Sequence, residues 1–266
     1  MKRYFLLFIL IILMFLSLYK NSHGYDFDIT GLQPVAPYGV FSTFSTESLS
    51  KGKVALSAGA EISKEPDFYR FLFKTAYGVT DNIEFNMTIP YIYNWANSMD
   101  GLEDIALGFK HRFFDEGKYG PSMAYILNGS ISSGRDEFST DGRFGVGLIV
   151  SKKVGPFNGH ANLFYEKPWT GRLDEEVSFA TGLDFAAAHN FKILAELYFR
   201  KSHYSTEFDS IEGRVGYRIK TTDMIYTTFG AGFDLKNRSP EYRIMFSVTF
   251  LTPQEKKEIK KVYEEE

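Results

Sequence analysis

The sequence predicts an all-β protein, a closed antiparallel transmembrane β-barrel of about twelve strands. Three observations lead there. Segment after segment alternates with period two, as in Ile83-Glu84-Phe85-Asn86-Met87-Thr88-Ile89 and Tyr242-Arg243-Ile244-Met245-Phe246-Ser247-Val248. Such alternation suits a pleated strand and opposes a helix. On the apolar phase only His111 is ionisable, whereas the other phase mixes Gly, Ala and Ser with long charged side chains. Phe (26) and Tyr (17) are abundant, and many stand at segment ends, among them Tyr69, Tyr77, Tyr91, Phe113, Phe185 and Tyr242. That is the placement of aromatic girdles at a membrane interface.

Taken in chain order, Lys2 and Arg3 precede the uncharged run Tyr4–Leu18, and Ser22-His23-Gly24 offers small residues at a cleavage site. Residues 1–24 therefore read as a secretory signal peptide, too short in its apolar part for a spanning helix. Residues 25–50 contain Pro34, Pro37 and many hydroxyls, fit no strand, and are expected in the periplasm or inside the lumen. The barrel itself is expected over 51–251. Its strands lie near 54–62, 69–77, 83–91, 105–113, 123–131, 144–150, 161–165, 177–185, 193–199, 211–219, 225–233 and 242–250, with turn-forming sequence between them. Longer and shorter connections alternate, as outer loops and periplasmic turns do. An even strand number puts both barrel ends on the periplasmic side. Pro90 cannot donate to a ladder and belongs at a strand end or bulge. The strand ending at Phe250 carries apolar or aromatic residues at every second position, like the signal read by the outer-membrane assembly machinery. A charged periplasmic tail follows at 252–266, with Ile259, Val262 and Tyr263 at helical spacing.

Composition excludes several functions. The absence of cysteine removes disulfides, thiolate zinc, iron–sulfur ligation and a thiol nucleophile. A formal charge of −3 argues against a nucleic-acid partner. His111 reads as an interfacial histidine near the periplasmic rim, because no nucleophile stands at a recognisable spacing from it. His160, His189 and His203 fall in turns or loops, read as solvated, and lack metal-ligand spacing. The loop Arg135–Gly142 is rich in carboxylates but lacks the full calcium-loop pattern. No cofactor, metal or catalytic residue is implied, and the chain does not read as an enzyme.

Two stretches carry a family resemblance. Tyr77-Gly78-Val79-Thr80-Asp81-Asn82-Ile83-Glu84-Phe85, followed by Ile89-Pro90-Tyr91, is one; Gly101-Leu102-Glu103-Asp104-Ile105-Ala106-Leu107-Gly108-Phe109-Lys110 is the other. Both resemble the outer-membrane proteins grouped as the meta-pathway of phenol degradation family. The resemblance implies an outer-membrane barrel with a transport role, and aromatic or other organic compounds as solutes. It supplies no binding residue.

The charges of the small-residue phase are the candidate site. Arg70, Lys74, Glu84, Lys110, Arg112, Glu196, Glu212, Arg214, Arg218 and Arg243 are expected to line the lumen and orient a polar or anionic solute. The expected function is a passive channel or transporter for small solutes in the outer membrane of a Gram-negative bacterium, with membrane lipid, the assembly machinery and an unnamed solute as partners. The alternative is a filled structural or interaction barrel, in which the same charges are cross-lumen ion pairs. A lipid hydrolase is a more distant one.

Overall fold

The computed structural model describes residues 30–95, 99–170, 173–236 and 241–253. The signal peptide expected at 1–24, and all but the first two residues of the tail expected at 252–266, lie outside the described residues. Twelve long strands close into the barrel: β1 (Val54–Lys64), β2 (Phe68–Gly78), β3 (Ile83–Trp95), β5 (Ile105–Phe114), β6 (Ser122–Ile131), β7 (Arg143–Val154), β8 (Phe157–Pro168), β9 (Glu176–Ala188), β10 (Phe191–Lys201), β11 (Ser210–Lys220), β12 (Ile225–Asp234) and β13 (Tyr242–Leu251). Each pairs antiparallel with its sequence neighbours, and β1 closes on β13 in the register Leu56↔Phe250 to Ile62↔Ile244. Closure leaves no ladder edge facing lipid. The segment expected at 161–165 is longer than its alternation indicates, since β8 runs through Gly159-His160 and on to Pro168.

A short thirteenth strand, β4 (Met99–Leu102), was not legible in the sequence. It pairs with the upper part of β3 (Tyr91↔Leu102), directly above the stretch where β5 pairs with the lower part (Thr88↔Ala106). β4 and β5 are thus one line of strand, interrupted at Glu103 and Asp104. Pro90 sits opposite the interruption. Its carbonyl accepts the Glu103 N–H at 3.0 Å, but it has no N–H to return. The broken ladder lets two consecutive carboxylates turn inward, and both are fully buried.

The alternation settles on the faces as the pleat demands. Phe71, Leu148, Phe246 and Val248 point outward and are exposed, whereas Leu72, Ile149, Met245 and Thr249 on the same strands are buried. Aromatics pack against each other across neighbouring strands on the outer surface, as Phe157 on Phe185 (ring centroids 4.8 Å apart) and Tyr69 on Tyr93 (6.1 Å). The shortest connections lie at one end (155–156, 189–190) and the longest at the other (132–142, 202–209), although 115–121 at the first end is longer and 65–67 at the second is shorter. The long-loop end is termed the outer mouth below.

An outward apolar face makes depth matter. Leu148→Arg, in mid-strand, should cost about 2–4 kcal/mol in a bilayer, and Tyr242→Arg, at a strand end, about 0–1 kcal/mol. Reversible denaturant unfolding in lipid vesicles measures both, and equal costs would contradict this orientation.

Candidate functional site

Residues 30–50 run through the inside of the barrel, built almost wholly from turns and bends. A chain without a strand partner must find its hydrogen bonds elsewhere, and here the wall supplies them. Near the outer mouth, Thr30 donates its N–H to Glu103 and its carbonyl accepts from Arg143 at 3.0 Å. Gln33 N–H reaches Thr88 Oγ1 at 3.1 Å. Towards the short-turn end, the Arg218 guanidinium donates to the carbonyls of Pro37 (2.8 Å) and Gly39 (3.0 Å) and to Thr228 Oγ1 (3.1 Å). At mid-height one oxygen of Glu196 accepts three bonds, from the N–H of Ser42 and Thr43 (2.8 Å each) and from Thr43 Oγ1 (2.7 Å). Asn162 brackets Phe44, accepting its N–H at 2.6 Å and donating to its carbonyl at 2.9 Å. The segment then descends. Thr46 Oγ1 meets Ser122 Oγ at 2.6 Å, Lys110 donates to the carbonyls of Ser45 and Glu47, and Glu84 accepts the Leu49 N–H at 2.8 Å.

Apolar side chains of the segment fill pockets in the wall. Leu32 and Phe44 pack with Ala106, Ala124, Ile126 and Ile149; Val35 and Leu49 pack with Ala55, Ala76 and Leu251 near the short turns. The lumen glycines make this room. A Cβ on Gly108 would lie 2.1 Å from Leu32, and one on Gly230 2.3 Å from the Phe41 ring. Beside the segment lie small cavities, two of them about 50 and 60 Å³, space for a few water molecules each.

Most of the ten expected lumen charges are where the alternation puts them. Arg70, Glu84, Lys110, Glu196, Glu212, Arg214, Arg218 and Arg243 are buried inside the barrel. Lys74 is half-buried on the wall of one cavity. Arg112 is the exception: it sits at the short-turn rim, bonded to Asn82 at 2.7 Å and paired with Asp115 at 2.9 Å. Around the outer half of the lumen the charges form a continuous chain of ion pairs. Glu103 holds Arg70 (2.7 Å), Arg70 holds Glu61 (3.4 Å), and Glu61 holds Arg243 (3.4 Å). The chain continues from Arg243 to Glu212 (3.3 Å), from Glu212 to Arg214 (2.7 Å) and on to Glu196 (2.9 Å). Lower down, Lys110 pairs with Glu84 at 3.1 Å.

Several members of this interior lie outside the expected set. Arg143, Glu166 and Glu176 are buried, and Arg143 pairs with Glu166 at 2.9 Å. Each stands one residue beyond an expected strand end, so extending the alternation by one step finds them. Glu103 and Asp104 carry no such signal, because they interrupt the alternation. His160 and His203, expected in solvent, are both buried. His160 belongs to β8 and lies between Ser151 Oγ (2.8 Å) and Asp184 Oδ2 (3.5 Å). That row has the residue types of a hydrolytic triad, but Ser151 Oγ also accepts the Thr46 N–H at 3.1 Å and is buried beneath the segment, so it anchors chain. His111 meets the Tyr125 hydroxyl at 3.1 Å. The carboxylate-rich loop 135–142 folds over Asp104, which accepts from Gly134 N–H, Ser139 Oγ, Thr140 N–H and Thr140 Oγ1; Glu137 pairs with Arg135. Phe138 of this loop is fully buried against Phe68, Ile92 and Trp95 at the outer mouth. Among the described residues no group of His, Cys, Asp and Glu is arranged to hold a metal ion.

No family profile matches the chain, and no curated protein matches its sequence. Solved structures do match its fold. The KdgM porin superposes with a TM-score of 0.58 at 10% identity, covering 74% of this chain and 98% of that one. The COG4313 outer membrane channel from Pseudomonas putida F1 gives 0.56 at 12% identity, covering 78% and 98%. The NanC porin gives 0.54 at 11% identity, covering 74% and 98%. At these identities the likeness is one of fold, a closed antiparallel β-barrel of the kind these porins and this channel have.

The loop at 202–209 carries a pH dependence. Burial, and then the Arg143 guanidinium, push the His203 imidazole down to about 4. Its Nδ1 faces the Asp174 carbonyl at 2.9 Å, and its Nε2 faces both Arg143 and the Glu176 carboxyl at 3.3 Å; burial and the Arg143 charge prevail. The folded loop therefore favours the neutral ring. That stabilisation is complete above the unfolded value of about 6.5 and is lost as the pH falls from there towards 4. Hydrogen-exchange protection of residues 202–209, corrected for intrinsic rates, should decline across this window, and His203→Gln should flatten the decline. An unchanged slope in the variant would exclude His203 as its source.

Proposed function

We propose that this chain is a passive outer-membrane channel for small polar solutes, closed in this state by its own N-terminal segment. One observation carries the reading: the lumen is filled by a separate stretch of chain rather than by the wall's own side chains. Eight-stranded barrels are filled by wall residues, and twelve strands enclose more space. Here that space is lined by Gly108, Gly182, Gly216 and Gly230 and by paired charges. Withdrawal of residues 30–50 would leave a hydrophilic passage rather than a collapsed core. The segment is tied mainly by hydrogen bonds that water could replace. The outer-membrane setting is supported by the apolar outer face, the uncharged leader-like run Tyr4–Leu18, and the fold shared with porins. The motifs at 77–91 and 101–110 that resemble the phenol-degradation family support an organic solute.

A second reading, a filled barrel that stabilises the envelope, is favoured by the number of anchors on the segment. Planar-bilayer recording separates the two. The full chain should give infrequent openings above a lipid-only control. Asn162→Ala removes both bonds to the Phe44 backbone; an unsatisfied buried polar group costs about 1–3 kcal/mol, so about 2 kcal/mol here should raise the open fraction about 30-fold. Thr46→Cys with Ser122→Cys places two thiols where hydroxyls now touch, in a chain with no other cysteine. Oxidation should hold the channel shut and reduction should restore the openings. Current that is absent in Asn162→Ala as well would decide for the filled barrel.

A further inference from the structure

Two cations in the lower lumen differ from every other buried cation described above. Arg70, Lys110, Arg143, Arg214 and Arg243 each have a carboxylate within 3.4 Å. Arg218 and Lys74 have none within 4 Å among the described residues, and they line the same cavity. Arg218 is buried, and its hydrogen bonds go to neutral oxygens: Thr228 Oγ1, and the carbonyls of Pro37, Gly39 and, at 3.5 Å, Val40; Asp184, the acid whose field reaches it, is engaged by Lys192 at 2.9 Å. These three carbonyls lie on the turns and bends of residues 36–42, and the Val40 N–H to Thr43 carbonyl bond at 2.9 Å holds the chain just beyond them. Gly39 has φ +86°, and a Cβ there would lie 2.5 Å from the Thr43 carbonyl oxygen. The turn therefore aims its oxygens at one guanidinium, where a counter-anion would otherwise sit.

Lys74 approaches the cavity from β2 and Arg218 from β11. The wall between them, on β1, β13 and β12, is small or neutral: Gly59, Ser247 and Thr228. Glu61 is the acidic group on the cavity wall, and it is engaged by Arg70 and Arg243. A lumen that pairs its other described cations but gives these two no direct ion pair keeps a positive site at the cost of leaving a buried charge without a contacting counter-charge.

We infer that Lys74 and Arg218 form a binding site for a small carboxylate solute, now capped by the carbonyls of residues 37–40 and filled once that turn withdraws. The inference rests on the channel reading above. The planar guanidinium fork takes a carboxylate through two parallel N–H bonds, and the ammonium adds a point charge from the opposite side of the wall. In the lower lumen the other charges pair one to one, Lys110 with Glu84 at 3.1 Å and Lys192 with Asp184 at 2.9 Å, so these two groups set the sign of that part of the passage.

The test uses the full chain with Asn162→Ala, which raises opening without altering charge. In a potassium chloride gradient its reversal potential should show anion preference. Millimolar succinate should interrupt the current, and mannitol should not. Adding Lys74→Gln, a side chain with no ion pair to break, should remove most of the preference and weaken the succinate block at least tenfold. Arg218→Gln should do the same, its folding checked by heat-dependent gel mobility. Cation preference in Asn162→Ala, or selectivity and block unchanged by Lys74→Gln, would overturn the site while leaving the channel reading intact. No current in any variant would overturn the channel reading and the site with it.

Discussion

A stretch of chain inside a barrel must have its peptide groups satisfied without a neighbouring strand, and that requirement organises the rest of this molecule. In residues 30–50 the bonds that a ladder would supply come from side chains of the wall. Glu196 takes two consecutive N–H groups, Asn162 takes one N–H and one carbonyl of Phe44, and Arg218 takes a turn of carbonyls. An ordinary buried peptide group left unpaired costs free energy comparable to a lost hydrogen bond. The wall's polar residues therefore specify one path for the segment. Apolar contacts at Leu32, Phe44, Val35 and Leu49 then fix its depth.

The same side chains must also be charged without being isolated. The outer half of the lumen solves this with a relay in which each arginine bridges two glutamates from different parts of the wall, from Glu103 through Arg70, Glu61, Arg243, Glu212 and Arg214 to Glu196. Taking two ions out of water costs more than one contact returns, so a network with several contacts per ion is the form in which they persist. The relay begins at the interruption between β4 and β5, where Pro90 prevents the ladder from closing and two carboxylates face inward. Glu103 serves the relay and the segment; Asp104 gathers the donors of loop 134–140, whose Phe138 covers the outer mouth. One proline thus connects a local break in pairing to both coverings of the lumen.

Legibility in the sequence followed the strength of the local period. All twelve barrel strands were readable because a two-residue repeat with one uncharged phase has a single interpretation on a pleated sheet. Within those strands, Arg70, Glu84, Lys110, Glu196, Glu212, Arg214, Arg218 and Arg243 were placed inside by phase alone. Arg143, Glu166 and Glu176 were missed because strand ends are the least certain part of such a reading, and each is a single step further along. His160 was missed because Gly159 beside it reads as turn sequence, yet β8 continues through both. Arg112 followed its phase but lies so near the strand end that the lumen wall has given way to the rim.

What the amino-acid order determined by itself is the barrel: which residues form strands, which face each presents, and which end carries the longer loops. These depend on neighbours one and two positions away, and that information is local. What only the tertiary structure decided is what fills the lumen. The path of residues 30–50, the inward turn of Glu103 and Asp104, and the lack, among the described residues, of an ion-pair partner for Lys74 and Arg218 all depend on groups brought together from strands far apart in the chain. No period records such meetings, because closing the sheet is what creates the shared interior in which they occur.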